Sequence, residues 1–128
     1  AKKFITIKVA EGKDTLECLS VAYQIAASPL VKTAFTASDP NWGRIIAAIG
    51  NSKINKLDVT KINIYIDDVC LVENGERSKS YTEERGKGVM EQDEIILRIN
   101  LKRGSHSEEI WTTDLSNEYI KINSEYRS

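Results

Sequence analysis

Three stretches of this chain alternate apolar and polar residues with a two-residue period, and each keeps its branched apolar side chains on one side. They are Ile5, Ile7 and Val9; Ile62, Ile64 and Ile66; and Ile95, Leu97, Ile99 and Leu101. That period describes half-buried strands of a sheet. Such a sheet needs an apolar cover. The segments between the alternating stretches read as helices that supply it.

Asp14 reads as a helix N-cap with Glu17 completing a capping box, and Leu16, Leu19, Tyr23 and Ala26 recur at helical spacing. This predicts a helix over 15–27. The two prolines, in Ser28-Pro29 and Asp39-Pro40, each follow a capping residue and read as first helical positions. Pro29 opens a short helix to about Phe35. Pro40 opens another, whose stripe of Trp42, Ile45, Ile46 and Ile49 ends at Gly50. Glu11-Gly12-Lys13 and Asp67-Asp68 read as turns, and Asn74-Gly75 as a hairpin. Thr82 caps a short helix that Gly86 and Gly88 weaken. A strand follows over 108–113, then a terminal helix from Ser116 with Tyr119, Ile122 and Tyr126 inward. The expected fold is a single α+β domain over 1–128: a mixed β-sheet of four to six strands with helices packed against it.

Composition mainly excludes. Eighteen basic against nineteen acidic residues give a net charge of −1, which argues against a nucleic-acid partner or a polybasic membrane anchor. No apolar run reaches the length of a membrane span, and the first residues lack a signal-peptide core. Ala1 in place of an initiator Met reads as a chain processed or cut from something longer. Cys18 and Cys70 lack metal or redox spacing and read as small buried hydrophobes rather than a disulfide.

Chemistry is sparse. His106, the single histidine, stands in a Gly/Ser-flanked turn with no nucleophile motif beside it, and reads as an exposed loop residue. Asp67-Asp68 suits a solvated turn better than an acid/base pair, because adjacent strand-end positions diverge. Arg85-Gly86-Lys87-Gly88 lacks the spacing and preceding strand of a phosphate loop. Two distant cysteines and one histidine make no zinc ligand set. Asp39-Pro40-Asn41-Trp42-Gly43-Arg44 is a poor helix opening for its Asn and Gly content, which points to close packing or a specific contact. Its structural reading has Asp39 capping, Trp42 in the core and Arg44 pairing across a chain or domain interface. The terminus keeps apolar and aromatic residues nearly to its last position, which suggests a docked end.

Together these stretches closely resemble the ornithine acetyltransferase (glutamate N-acetyltransferase) family of arginine biosynthesis. The resemblance is carried by Ser28-Pro29-Leu30-Val31-Lys32-Thr33-Ala34, by Asp39-Pro40-Asn41-Trp42-Gly43-Arg44-Ile45, and by Leu101-x-Arg103-Gly104. Trp111-Thr112-x-Asp114-Leu115 and Tyr119-x-Lys121-Ile122-Asn123-x-x-Tyr126-Arg127 before a final Thr or Ser continue it, and Lys3-Phe4-Ile5-Thr6 fits as well. It spans essentially all 128 residues.

The resemblance implies a precursor that cleaves itself into α and β chains. The new N-terminal threonine takes the acetyl group from N-acetylornithine and passes it to glutamate by ping-pong acyl transfer, with no metal or bound cofactor and with acetyl-CoA a further donor in bifunctional members. It also implies a cytoplasmic α2β2 heterotetramer. This chain aligns to the last two-thirds of the β chain, so the nucleophile and oxyanion hole are expected upstream and the chain alone is expected to be catalytically incomplete. Site residues carried over are Asn123 and Ser128, the latter standing where the family has threonine; both are substrate contacts. An Asn amide offers a donor and an acceptor to an amino-acid substrate, and a terminal serine adds a carboxylate for an ammonium group. Lys121 and Arg127 are left between the terminal carboxylate and another chain. The competing expectation is a stand-alone small-molecule binding or interaction module that keeps the fold without catalysis.

Overall fold

The computed structural model describes residues 3–114. Strand β1 (Phe4–Gly12) leads into three helices, α1 (Thr15–Ala27), α2 (Pro29–Thr36) and α3 (Trp42–Gly50). A 3-10 turn at Val59–Lys61 precedes β2 (Asn63–Ile66), β3 (Val69–Glu73) and β4 (Glu76–Arg77). Helix α4 (Glu83–Met90), β5 (Glu94–Asn100) and β6 (His106–Thr113) complete the described chain. The strands form one six-stranded sheet, ordered β4-β3-β2-β5-β1-β6. Among the described residues only the β1–β5 pair is parallel. The architecture is α+β with a mixed sheet, as the alternation predicts.

Register explains the core. Ile5 lies beside Ile95, Ile7 beside Leu97 and Val9 beside Ile99, while Ile64 and Ile66 of β2 meet Ile99 and Leu97. Apolar rows thus cross the three central strands, and all of these side chains are at most 1% exposed. Phe4, Lys8, Glu94, Ile96 and Arg98, which alternate with them, are exposed. The helices therefore cover one face of the sheet. Among the described residues no helix is long and apolar enough to cross a membrane.

Helix α1 has the predicted bounds but buries a different face. Cys18, Val21, Ala22 and Ile25 are completely buried, whereas Leu16 and Tyr23 are 77% and 60% exposed. Two apolar stripes compete on this helix, and the narrower one wins because α1 lies close against β1. Gly12 marks that closeness: a Cβ there would stand 2.2 Å from the Cys18 Sγ. The capping box is present in altered form. The Asp14 carboxylate accepts the Glu17 amide at 2.8 Å, and the Glu17 carboxylate accepts the Lys13 amide at 2.9 Å, one residue before the cap. β1 also pairs on through Gly12, across a bulge, where a turn was expected.

Ser28 caps α2 as expected, its hydroxyl accepting the Val31 amide at 3.2 Å. The next cap falls elsewhere. Asn41, not Asp39, caps α3, with its Oδ1 accepting the Arg44 amide at 3.2 Å. The Asp39 amide closes the end of α2 by donating to the Ala34 carbonyl at 2.8 Å, after Ser38 takes a positive φ of 53°. Pro40 thus bridges two helices instead of opening one. Gly50 belongs to α3, and Asn51 caps it. At the Asn74-Gly75 hairpin both residues take positive φ, as the sequence predicts. The predicted helix from Ser116 lies outside the described residues.

Candidate functional site

Asn123, Ser128, Lys121 and Arg127 lie outside the described residues. What the structure builds is the joint from which the chain continues toward them. Lys3, just before β1, is 7% exposed, and Asp114, just after β6, is 1% exposed. The Asp114 Oδ1 accepts the Lys3 amide at 2.7 Å, and its Oδ2 accepts the Thr36 hydroxyl at 3.2 Å. The Asp114 amide in turn donates to the Lys3 carbonyl at 3.3 Å.

The Lys3 side chain ties this corner to two helices. Its Nζ donates to the Phe35 carbonyl at 2.7 Å, to the Ser38 Oγ at 2.6 Å and to the Met90 carbonyl. Three acceptors match the three donors of an ammonium group. Phe35 and Met90 sit at the C-terminal ends of α2 and α4, where the helix dipole favours a cation. Burial pushes the Lys3 pKa below its ordinary 10.5, while Asp114, Glu91 and Asp93 pull it back up. With its donors and acceptors paired in this way, the corner holds chain segments in place rather than activating a nucleophile.

The Asp39–Arg44 loop adjoins a cavity of about 220 Å³ lined by Asp39, Asn41, Trp42, Arg77, Tyr81 and Glu83. Arg77 lies over the Tyr81 ring, 5.0 Å from its centre, and 3.9 Å from Glu83. Burial first, then Glu83, pushes the Tyr81 phenol up, so it stays protonated at neutral pH. Trp42 is half-buried against the core rather than within it. Arg44, read from the sequence as an interface partner, makes its described contacts within the chain. Its Nη1 donates to the Leu30 carbonyl at 2.9 Å and to the Thr33 hydroxyl at 3.3 Å, lashing α3 to α2 inside the chain.

Leu101-x-Arg103-Gly104 also becomes intelligible. Arg103 Nε meets the Glu17 carboxylate at 2.9 Å, and its two terminal nitrogens donate to the Lys56 and Asn55 carbonyls at 2.8 and 3.1 Å. One guanidinium thus fastens the start of α1 to the 55–56 loop. No local pattern signals the Lys3, Thr36 and Asp114 corner or the Glu17 partner of Arg103. Lys3, Asp114 and Arg103 stood in recognisable motifs, but their partners are far away in the chain.

The remaining candidates settle simply. His106 is exposed and opens β6, paired opposite Gly12, so the strand begins earlier than expected. Asp67 turns the chain between β2 and β3 at φ 51°, with its carboxylate accepting the Ile96 amide and the Gln92 side chain. Arg85-Gly86-Lys87-Gly88 is helical within α4. Gly86 is required there by Tyr81, whose hydroxyl would stand 2.2 Å from an added Cβ. Cys18 and Cys70 are both free thiols. No three His, Cys, Asp or Glu side chains converge as a metal site among the described residues.

Comparison with known proteins places this geometry. The family model described as the ArgJ family matches residues 1–128. The arginine biosynthesis bifunctional protein ArgJ of Pseudomonas fluorescens is 55% identical over 128 residues, which is 100% of this chain and 32% of that protein. The protein of the same name from Psychrobacter arcticus is 52% identical over all of this chain and 31% of its own length. A solved structure of the arginine biosynthesis bifunctional protein ArgJ from Bacillus halodurans superposes with a TM-score of 0.87 at 34% identity, covering 97% of this chain and 58% of that one. The chain thus spans about a third of the length of the curated relatives it matches.

Proposed function

Because this chain belongs to the ArgJ family, we propose that it supplies the C-terminal part of an acetyltransferase that moves the acetyl group from N-acetylornithine to glutamate. The observation that carries this reading is the end-to-end match, 55% identical over all 128 residues, to a protein named for a bifunctional role in arginine biosynthesis. A threonine at the N-terminus of the complete β chain attacks the acetyl carbonyl and releases ornithine. The glutamate amine then takes the acetyl group from the enzyme. No metal or bound cofactor enters this chemistry, and acetyl-CoA is a further donor if the enzyme is bifunctional. The α chain and the rest of the β chain complete the site, in an α2β2 assembly in the cytoplasm.

In this reading Asn123 and Ser128 hold the amino-acid end of the substrate. The Asn amide serves a carboxylate or an ammonium group, and the Ser128 hydroxyl donates to the one or accepts from the other. Asn123→Ala, made in the complete enzyme, raises the Michaelis constants for both amino acids and leaves self-cleavage intact. Deleting Ser128 acts in the same direction. Unchanged Michaelis constants in both variants would remove these residues from the site.

A further inference from the structure

We propose that the uncovered face of the sheet is the seat for the rest of the acetyltransferase polypeptide. An apolar segment from outside residues 1–128 lies on Phe4, Ile96 and Trp111 and brings a carboxylate over Lys8 and Arg98. The inference rests on the reading that this chain is the C-terminal part of that enzyme.

The described helices cover one face of the sheet, and the register shows what the other presents. Ile96, Thr6 and Trp111 stand side by side on β5, β1 and β6. Phe4, two residues before Thr6, lies on the same face. Ile96 is 52% exposed, Trp111 59% and Phe4 45%, so three large apolar side chains meet solvent together. A contiguous patch of this kind marks an interaction surface, whereas single scattered residues do not. At its centre lies the parallel β1–β5 pair, and parallel sheets are ordinarily covered on both faces. The face is also hollowed by a cavity of about 630 Å³, bordered by Phe4, Thr6, Lys8, Ile96, Arg98 and Glu109.

The next row along the strands carries charge. Lys8 lies beside Arg98 on one side and Glu109 on the other. Both cations are exposed, and among the described residues neither is in an ion pair. Arg98 instead lies over the Tyr65 ring, 4.3 Å from its centre. Like charges on neighbouring strands repel, and a carboxylate from the covering segment relieves that repulsion. A second copy of this face would bring the same two cations back, so a different segment fits better. Polypeptide enough for it lies outside the match, which covers 32% and 31% of the two curated relatives and 58% of the solved ArgJ. In the proposed reading that polypeptide precedes this chain and joins it at β1, whose first residue, Phe4, belongs to the face.

The test uses the complete enzyme. Ile96→Cys is reacted with a maleimide in the folded enzyme and in urea, and labelling is read by mass spectrometry of the peptide that carries it. A covered position reacts at least about tenfold more slowly in the folded enzyme, because labelling waits for the layers to open. In the unsubstituted enzyme, a zero-length carbodiimide is expected to join Lys8 to a carboxylate outside residues 1–128. Should Ile96→Cys fail to accumulate as folded protein, the Lys8 link decides. Protection short of that level, or Lys8 links confined to residues 1–128, whether within one copy or between two, overturns the inference. N-acetylglutamate formation is assayed on the same preparation. If the parent enzyme makes none, the acetyltransferase reading fails, while labelling and cross-linking still decide whether the face is covered.

Discussion

At Arg103 one side chain meets a carboxylate and two carbonyls, with 18% of its side chain and 7% of that of Glu17 exposed. Removing one partner of a buried pair leaves the other charge stranded, at a cost of about 3–5 kcal/mol. Arg103→Met should therefore lower unfolding free energy by about 3 kcal/mol in a urea titration; a loss below about 1 kcal/mol would mean that the pair is loose in solution. Lys3 gives a pH-dependent counterpart. Its pKa in the folded protein is lowered by burial, so between that value and 10.5 the unfolded chain binds the extra proton. Stability then rises with pH. The burden of the buried cation is fully present below the folded pKa and eases as pH climbs through that value toward 10.5. The urea midpoint of the parent, measured relative to Lys3→Met, should accordingly shift upward between pH 7 and pH 10; a flat or falling difference would contradict the assignment. Trp42 is half-buried, so Trp42→Ala should cost about 1–3 kcal/mol, short of the roughly 3–5 kcal/mol expected of a fully buried ring. These roles were hidden in the sequence for one reason. A guanidinium or ammonium reads the same whether it is solvated or clamped, and Lys3 and Asp114 stand at opposite ends of the described chain.

Elements were far more legible than contacts. Period-two alternation located β1, β2 and β5, and the capping residues Asp14, Ser28 and Thr82 located the starts of α1, α2 and α4. Two of the misses came from a choice between near-equal local signals. Asp39-Pro40 and Asn41 each offer a cap, and the backbone selected Asn41 because Asp39 is consumed in ending α2. On α1, Leu16 and Tyr23 made one apolar stripe, but the face of Cys18, Val21, Ala22 and Ile25 is the buried one, with Cys18 close against Gly12 of β1. This correction predicts opposite outcomes for neighbouring substitutions. Tyr23→Gln should change stability by less than about 0.5 kcal/mol. Ile25→Ala should cost about 2–5 kcal/mol. Thermal denaturation of the two variants checks the assignment, and a large loss at Tyr23 would restore the stripe read from the sequence.

For the whole molecule, composition argued against a nucleic-acid or polybasic membrane partner without naming a task, and the long motifs supplied the family. The fold is the α+β arrangement those motifs imply, matched at a TM-score of 0.87 to a solved ArgJ. The chain nevertheless spans about a third of its curated relatives, and the described portion holds a structural corner rather than a reaction centre. Chemistry in this account therefore requires the complete polypeptide. The most direct measurement is formation of N-acetylglutamate from N-acetylornithine and glutamate, by the complete polypeptide and by residues 1–128 alone. The account predicts turnover by the complete polypeptide and none by residues 1–128. Turnover by the short chain, or its absence from the complete one, would contradict it.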